Sequence, residues 1–277
     1  MFSIDVWKKG ALWLPLFLFL AGTNALSYEL SKEDFTRIGE LIFQNECASK
    51  ISCLTSWNEG EDFASLGIGH FIWYPKRVNE SDRNFDESFP KLLAWMKKEG
   101  TPLPSWLSKQ HSNPWQNKQH FKTLESTPQM QALRNFLFRS RDTQISFMKN
   151  RLRHALPRIL KHLPLERHAH IQQQFQYVAD SPMGYYALID YVNFKGEGIK
   201  LSERYQGLGW GLLQVLEHMQ STRPGLQAIQ DFSDSADYIL TRRVNLSPLA
   251  RHESRWLAGW RKRLRTYKDE AQKLALQ

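Results

Sequence analysis

Residues 45–75 read NECASKISCLTSWNEGEDFASLGIGHFIWYP, and this stretch decides the fold. Just upstream, Ser31 and Asp34 make a capping-box start, and Phe35, Ile38, Leu41 and Ile42 recur at helical spacing. The spacing predicts a helix from Ser31 to Asn45 or Glu46. Within the stretch, the β-type run 51–57, the turn Asn58-Glu59-Gly60 and the run 63–73 predict a hairpin with Gly60 at its tip. Pro75 and the polar run 79–86 close the segment.

From Phe89 onward the pattern is mostly helical. Pro102, Pro104 and Pro114 mark a loop-rich crossover that holds Trp95, Trp106 and Trp115. Thr127-Pro128 starts a long helical pattern through 163, and Ser181-Pro182 precedes another over 183–195, ended by Gly196 and Gly198. Further helices are predicted over 202–219 and 248–274. No internal repeat of the solenoid kind occurs. A short hairpin near the start, among helices, predicts an α+β fold that is predominantly helical.

The first residues read as a leader. Lys8 and Lys9 precede the apolar run 11–21, and Gly22, Thr23, Asn24 and Ala25 follow. This is the pattern of a secretory signal peptide over 1–25, cut after Ala25. The run is shorter than the ~20 residues of a membrane span and contains Pro15. The expected mature chain, 26–277, is a monomeric domain exported to the periplasm or the exterior, with no stable membrane span. Three parts are expected in it: 26–100 with the first helix and hairpin, a helical crossover over 101–180, and a helical lobe over 181–277. In an oxidising compartment Cys47 and Cys53 either pair or remain as two buried thiols.

The whole chain has 277 residues, 42% of them hydrophobic, which excludes a disordered protein; its two cysteines exclude a disulfide-framework scaffold. The net charge of +9 is unevenly spread. Residues 134–167 hold nine Lys/Arg against two acids and 242–268 hold nine against one, whereas 26–100 hold nine against thirteen. Two cationic helical segments therefore sit beside an acidic hairpin region, which suits an anionic polymer. No nucleic-acid-binding motif is present, and export argues against such a partner. His154, His162, His168 and His170 lack metalloprotease spacing, and neither cysteine has a histidine at zinc-finger spacing. The run 207–211 lacks the dinucleotide fingerprint. No metal and no organic cofactor is expected.

Glu46 lies four residues beyond Ile42 and eleven beyond Phe35, on the apolar face at the helix end. Burial and the negative helix terminus both disfavour its ionised form, which predicts a raised pKa and a general acid. Glu59, Glu61 and Asp62, then Ser65 and His70, supply a second set of groups. Two carboxylates across a scissile bond are the usual equipment for glycoside hydrolysis. Trp57, Trp73 and Tyr74 flank the hairpin and either stack on sugar faces or fill the core. Asn193 and Glu197, at the end of a Tyr-rich helix, either line the cleft or cap that helix.

A helix ending in Glu, a hairpin, and Ser65-Leu66-Gly67-Ile68-Gly69-His70 resemble phage-type lysozymes, the muramidases of the lysozyme-like superfamily. That family carries a catalytic Glu, an Asp or Cys, a Thr and G-I-G-H in this order. Ala187-Leu188-Ile189-Asp190 through Phe194 and Gly196 look like its central helix. Residues 242–251 and 260–267 are similar to its basic C-terminal helices. The resemblance implies a two-lobed fold and an enzyme that cleaves peptidoglycan glycan strands, with Glu46 as general acid and Ser65 in the place of the Thr. Counted back from His70, Glu59 falls at the second carboxylate, and Glu61 is nearly as good. Arg251 would pair with Glu46. Glu46 precedes His70 by 24 residues, about four more than the family pattern, so the approach to the hairpin is longer. If neither acid reaches the site, lytic transglycosylase chemistry is implied; a non-catalytic wall-binding protein on the same fold is the other alternative.

Overall fold

The computed structural model describes residues 31–83, 85–110 and 112–276. The predicted signal peptide over 1–25 lies outside the described residues. Helix α1 (Lys32–Cys47) begins as expected: Ser31 Oγ accepts from the Asp34 amide at 3.1 Å, and the Asp34 carboxylate accepts from the Ser31 amide at 2.8 Å. It buries Ile38, Ile42, Phe43 and Cys47, and ends where Ala48 turns left-handed (φ 46°).

The predicted hairpin is a three-stranded antiparallel sheet, β1 (Thr55–Ser56), β2 (Ala64–Leu66) and β3 (Phe71–Trp73), in sequence order. Ser56 pairs with Ser65, and Ser65 with Ile72. The run 63–73 divides because Gly67 (φ 73°) and His70 (φ 47°) turn the chain back between β2 and β3.

Helices α2 (Phe89–Lys98), α3 (Ser105–Ser108), α4 (Lys118–Thr123), α5 (Pro128–Arg139) and α6 (Arg141–Lys161) follow. The long pattern from Thr127 breaks at Ser140, which leaves helical geometry (ψ 20°). Helix α7 (His168–Ala179) leads to α8 (Gly184–Lys195), where every residue from Tyr186 to Val192 is buried. A helix apolar all round occupies the centre of a fold; here α6, α7, α9 (Leu212–His218) and α11 (Ser254–Ala275) pack around it. Between α8 and α9, the predicted helix over 202–219 is cut short by a second hairpin, β4 (Arg204–Tyr205) and β5 (Leu208–Gly209). Its turn places Gln206 at φ 50° and Gly207 at φ 80°, which no helix tolerates. Helix α10 (Leu226–Leu246) packs along α11. One buried cluster runs from Ile38 to Ala271. The protein is α+β and predominantly helical, and among the described residues no helix is long and apolar enough to cross a membrane.

Candidate active site

Glu46 sits in the last turn of α1, and groups from three other parts of the chain meet its carboxylate. Arg263 of α11 donates from Nη2 to Oε1 at 2.6 Å. His70, in the β2–β3 turn, brings Nδ1 to 3.5 Å from Oε2. Asn193 of α8 donates to the same carboxylate and also reaches the Gly69 carbonyl at 3.2 Å. The carboxylate keeps a small opening to solvent (13% exposed), and the His70 ring a larger one (30%).

The turn that presents His70 follows from its glycines. Buried Gln144 of α6 accepts from the Ile68 amide at 2.9 Å and donates to the Leu137 carbonyl at 2.7 Å. A Cβ on Gly67 would stand 2.3 Å from the Gln144 Oε1, so only glycine fits a left-handed residue against that side chain. His70 itself is left-handed, at a cost of about 1 kcal/mol for a residue with a Cβ.

Arg263 is held from behind. Its Nε and Nη2 each donate to Asp190 at 2.7 Å, and its guanidinium stacks 4.1 Å from the Phe194 ring centre. Tyr267, one turn along α11, donates to Asp190 at 2.5 Å. Burial weakens the charged form of Arg263, but Asp190 and Glu46 outweigh it and hold it firmly protonated. On Glu46, burial is the largest influence and raises the pKa. The charges of Arg263 and His70, with hydrogen bonds from Arg263 and Asn193, outweigh it, so the carboxyl stands below its ordinary range. This corrects the sequence expectation of a raised pKa: the cations that meet Glu46 come from distant segments.

Other expected residues lie elsewhere. Glu59 is exposed and pairs with Lys118 of α4. The Glu61 carboxylate accepts from Asn58 at 3.0 Å. Neither is among the groups that touch Glu46, because the β1–β2 turn carries both of them to the sheet's outer end. Ser65 is buried in the middle strand, where its carbonyl accepts from Ser56 Oγ at 3.4 Å. Arg251 is exposed on a single turn of 3-10 helix beside Tyr205, and Arg263 takes the expected place beside Glu46. Glu197 is paired with Arg158.

Trp57, Trp73 and Tyr74 belong to the core. Trp57 donates to the Glu61 carbonyl at 2.7 Å with its ring against Phe121, and Trp73 lies between Phe89 and Trp115. Tyr74 packs on Phe63 and under Arg83. Helix α2 and the crossover cover the two tryptophans, and Phe63 and Arg83 cover Tyr74, so all three rings are closed to a sugar. Among the described residues Trp256 is the one exposed tryptophan, at 41%; Trp260, 6.1 Å from it, is half-buried, as are Trp95 and Trp106. With Arg263 and Tyr267, Trp256 and Trp260 form one stripe of α11 at four-, three- and four-residue spacing, a pattern visible in the sequence.

Cys47 and Cys53 are joined in a disulfide. The His70 Nε2 lies 3.8 and 3.5 Å from the two sulfurs, so three metal-type ligands converge. With the sulfurs bonded to each other, no thiolate remains to hold an ion. The disulfide instead supports the imidazole on the side away from Glu46. In comparisons with known proteins, no family model matches the chain, and neither a curated protein nor a solved structure matches it.

Proposed function

We propose that this chain is an exported, lysozyme-like glycosidase that cuts the glycan strands of peptidoglycan or a similar anionic polysaccharide, with Glu46 as the proton donor. The observation that carries the reading is the Glu46 carboxylate, slightly open to solvent and gripped by Arg263, His70 and Asn193. A carboxylate with a fixed cation on one oxygen and an imidazole beside the other can receive a proton, pass it to a leaving oxygen and be stabilised again as the anion. Because Arg263 stays anchored on Asp190, that stabilisation needs no rearrangement. A sugar covering the opening removes the remaining water, which strengthens the burial influence and raises the carboxyl towards a working acid. Trp256 offers the ring face on which the glycan stacks, beside Trp260, whose own ring carries the Lys195 Nζ at 3.4 Å. The disulfide suits an oxidising, extracytoplasmic compartment.

A second reading within this class, lytic transglycosylation, is favoured by one observation. The carboxylate nearest Glu46 through a shared partner is Asp190, which is fully buried and bound by Arg263 and Tyr267. It is not placed to activate water, whereas a sugar hydroxyl acting as nucleophile needs a single acid. Clearing of purified peptidoglycan suspensions tests the shared core of both readings. Glu46→Gln is expected to slow clearing by a factor of about 100 or more; wild-type clearing by this variant refutes the role of Glu46.

A further inference from the structure

Away from Glu46, the β4–β5 hairpin lines a cavity of about 290 Å³. Arg167, Arg204 and Arg242 line it together with His162 and Glu217. The guanidiniums come from three places: a turn of 3-10 helix before α7, strand β4 and helix α10. Arg167 pairs with Glu217. Arg242 donates to the Gly209 carbonyl at 2.9 Å, and Arg204 to the Gly207 carbonyl at 3.4 Å. The Arg204 Nε is buried and has no hydrogen-bond partner among the described residues.

One carboxylate thus stands among three guanidiniums, and the contacts of Arg204 and Arg242 in the cavity are to neutral carbonyls. An unmatched buried donor is destabilising, and guanidiniums bind oxyanions best in a forked, two-bond geometry. Burial raises the pKa of Glu217 even against Arg167, Arg242, Arg204 and His170, so its own charge is only partly hydrated. With about 30 Å³ to a water-sized group, the volume admits roughly ten non-hydrogen atoms.

We propose that this cavity is a binding site for a small oxyanion, a phosphate or carboxylate group, recognised by Arg204 and Arg242 beside the Arg167–Glu217 pair. The site shares no residue with the Glu46 constellation and stands independently of the glycan reading. A phosphate ligand and a carboxylate such as an acidic peptide's would make the same forked contacts.

Calorimetric titration of the full chain with inorganic phosphate and, separately, malonate at constant ionic strength distinguishes the two sources. Saturable one-to-one binding of at least one probe is expected. Arg204→Gln with Arg242→Gln should weaken it about tenfold or more, the equivalent of a lost charge-assisted contact. Glu217→Gln, which removes the competing carboxylate, should tighten it several-fold. Opposite effects from neighbouring substitutions are not produced by a general loosening of the fold. Failure of both probes to saturate, unchanged affinity in the double variant, or no tightening in Glu217→Gln overturns the proposal.

Discussion

The Arg263 Nη2 lies 2.6 Å from Glu46 Oε1 and 2.7 Å from Asp190 Oδ1, so one nitrogen joins two acids on different helices. Asp190 is completely buried, and Arg263 nearly so. Arg263→Met strands the Asp190 charge in the core and should cost about 3–5 kcal/mol. Adding Asp190→Asn removes that stranded charge and should restore most of the loss. Urea unfolding of the two single variants and the double variant measures the coupling; strictly additive effects would contradict it.

The same contact sets the pH response. Glu46 is held below its ordinary range in the folded chain, so its contribution to stability is complete above the unfolded-state value and fades as pH falls through the lowered folded value. Cleavage that needs the protonated carboxyl runs the other way and strengthens towards acid until the fold weakens. In Arg263→Gln the burial influence loses its main opponent, and the activity limb should move to higher pH. A pH–rate profile of both proteins reads this directly; an unmoved limb would show that another group controls it.

Trp256 is half exposed and Trp260 lies one turn away on the face that leads to Arg263. Trp256→Ala removes stacking area at little structural cost. It should raise KM for glycan about three- to tenfold with kcat nearly constant, the yield of one lost aromatic contact. Steady-state kinetics on soluble glycan fragments separates the two constants.

The Cys47–Cys53 disulfide closes a short loop and supports His70 from behind. Replacing both residues with Ser should cost about 2 kcal/mol, the loop-closure value for so short a span. Thermal melts with and without dithiothreitol provide the check: wild type should fall to the level of the variant, and the variant should not respond.

Much of the site was legible because it is local. The α1 cap, Glu46 on the apolar face and the left-handed turn before His70 are written in neighbouring residues, although Gln144 of α6 is what Gly67 packs against. Arg263 was not legible, since it lies 217 residues from Glu46 in a segment crowded with basic side chains. Helix spacing shows which arginines share a face, but the depth at which α11 packs decides which one is buried. Trp57 and Trp73 mislead for a related reason: Phe89, Trp115 and Phe121, supplied by α2 and the crossover, close over them, while Tyr74 is covered by Phe63 and Arg83. Helix α10 is absent from the sequence expectation although Ile229, Phe232, Ala236 and Ile239 recur at helical spacing, with Gln230, Asp231 and Asp234 on the other face. Of its buried serines, Ser233 donates to the Leu264 carbonyl of α11 at 3.3 Å and the Ser235 hydroxyl lies 3.0 Å from His218 Nδ1 of α9.

Mass spectrometry of the products from purified peptidoglycan tests the central claim most directly. Wild type is expected to release fragments with newly cut glycan ends, carrying an added water after hydrolysis or an anhydro ring, one water lighter, after transglycosylation. Glu46→Gln is expected to release almost none. Equal release of the same fragments by Glu46→Gln, or no cut glycan ends from wild type, would contradict the account.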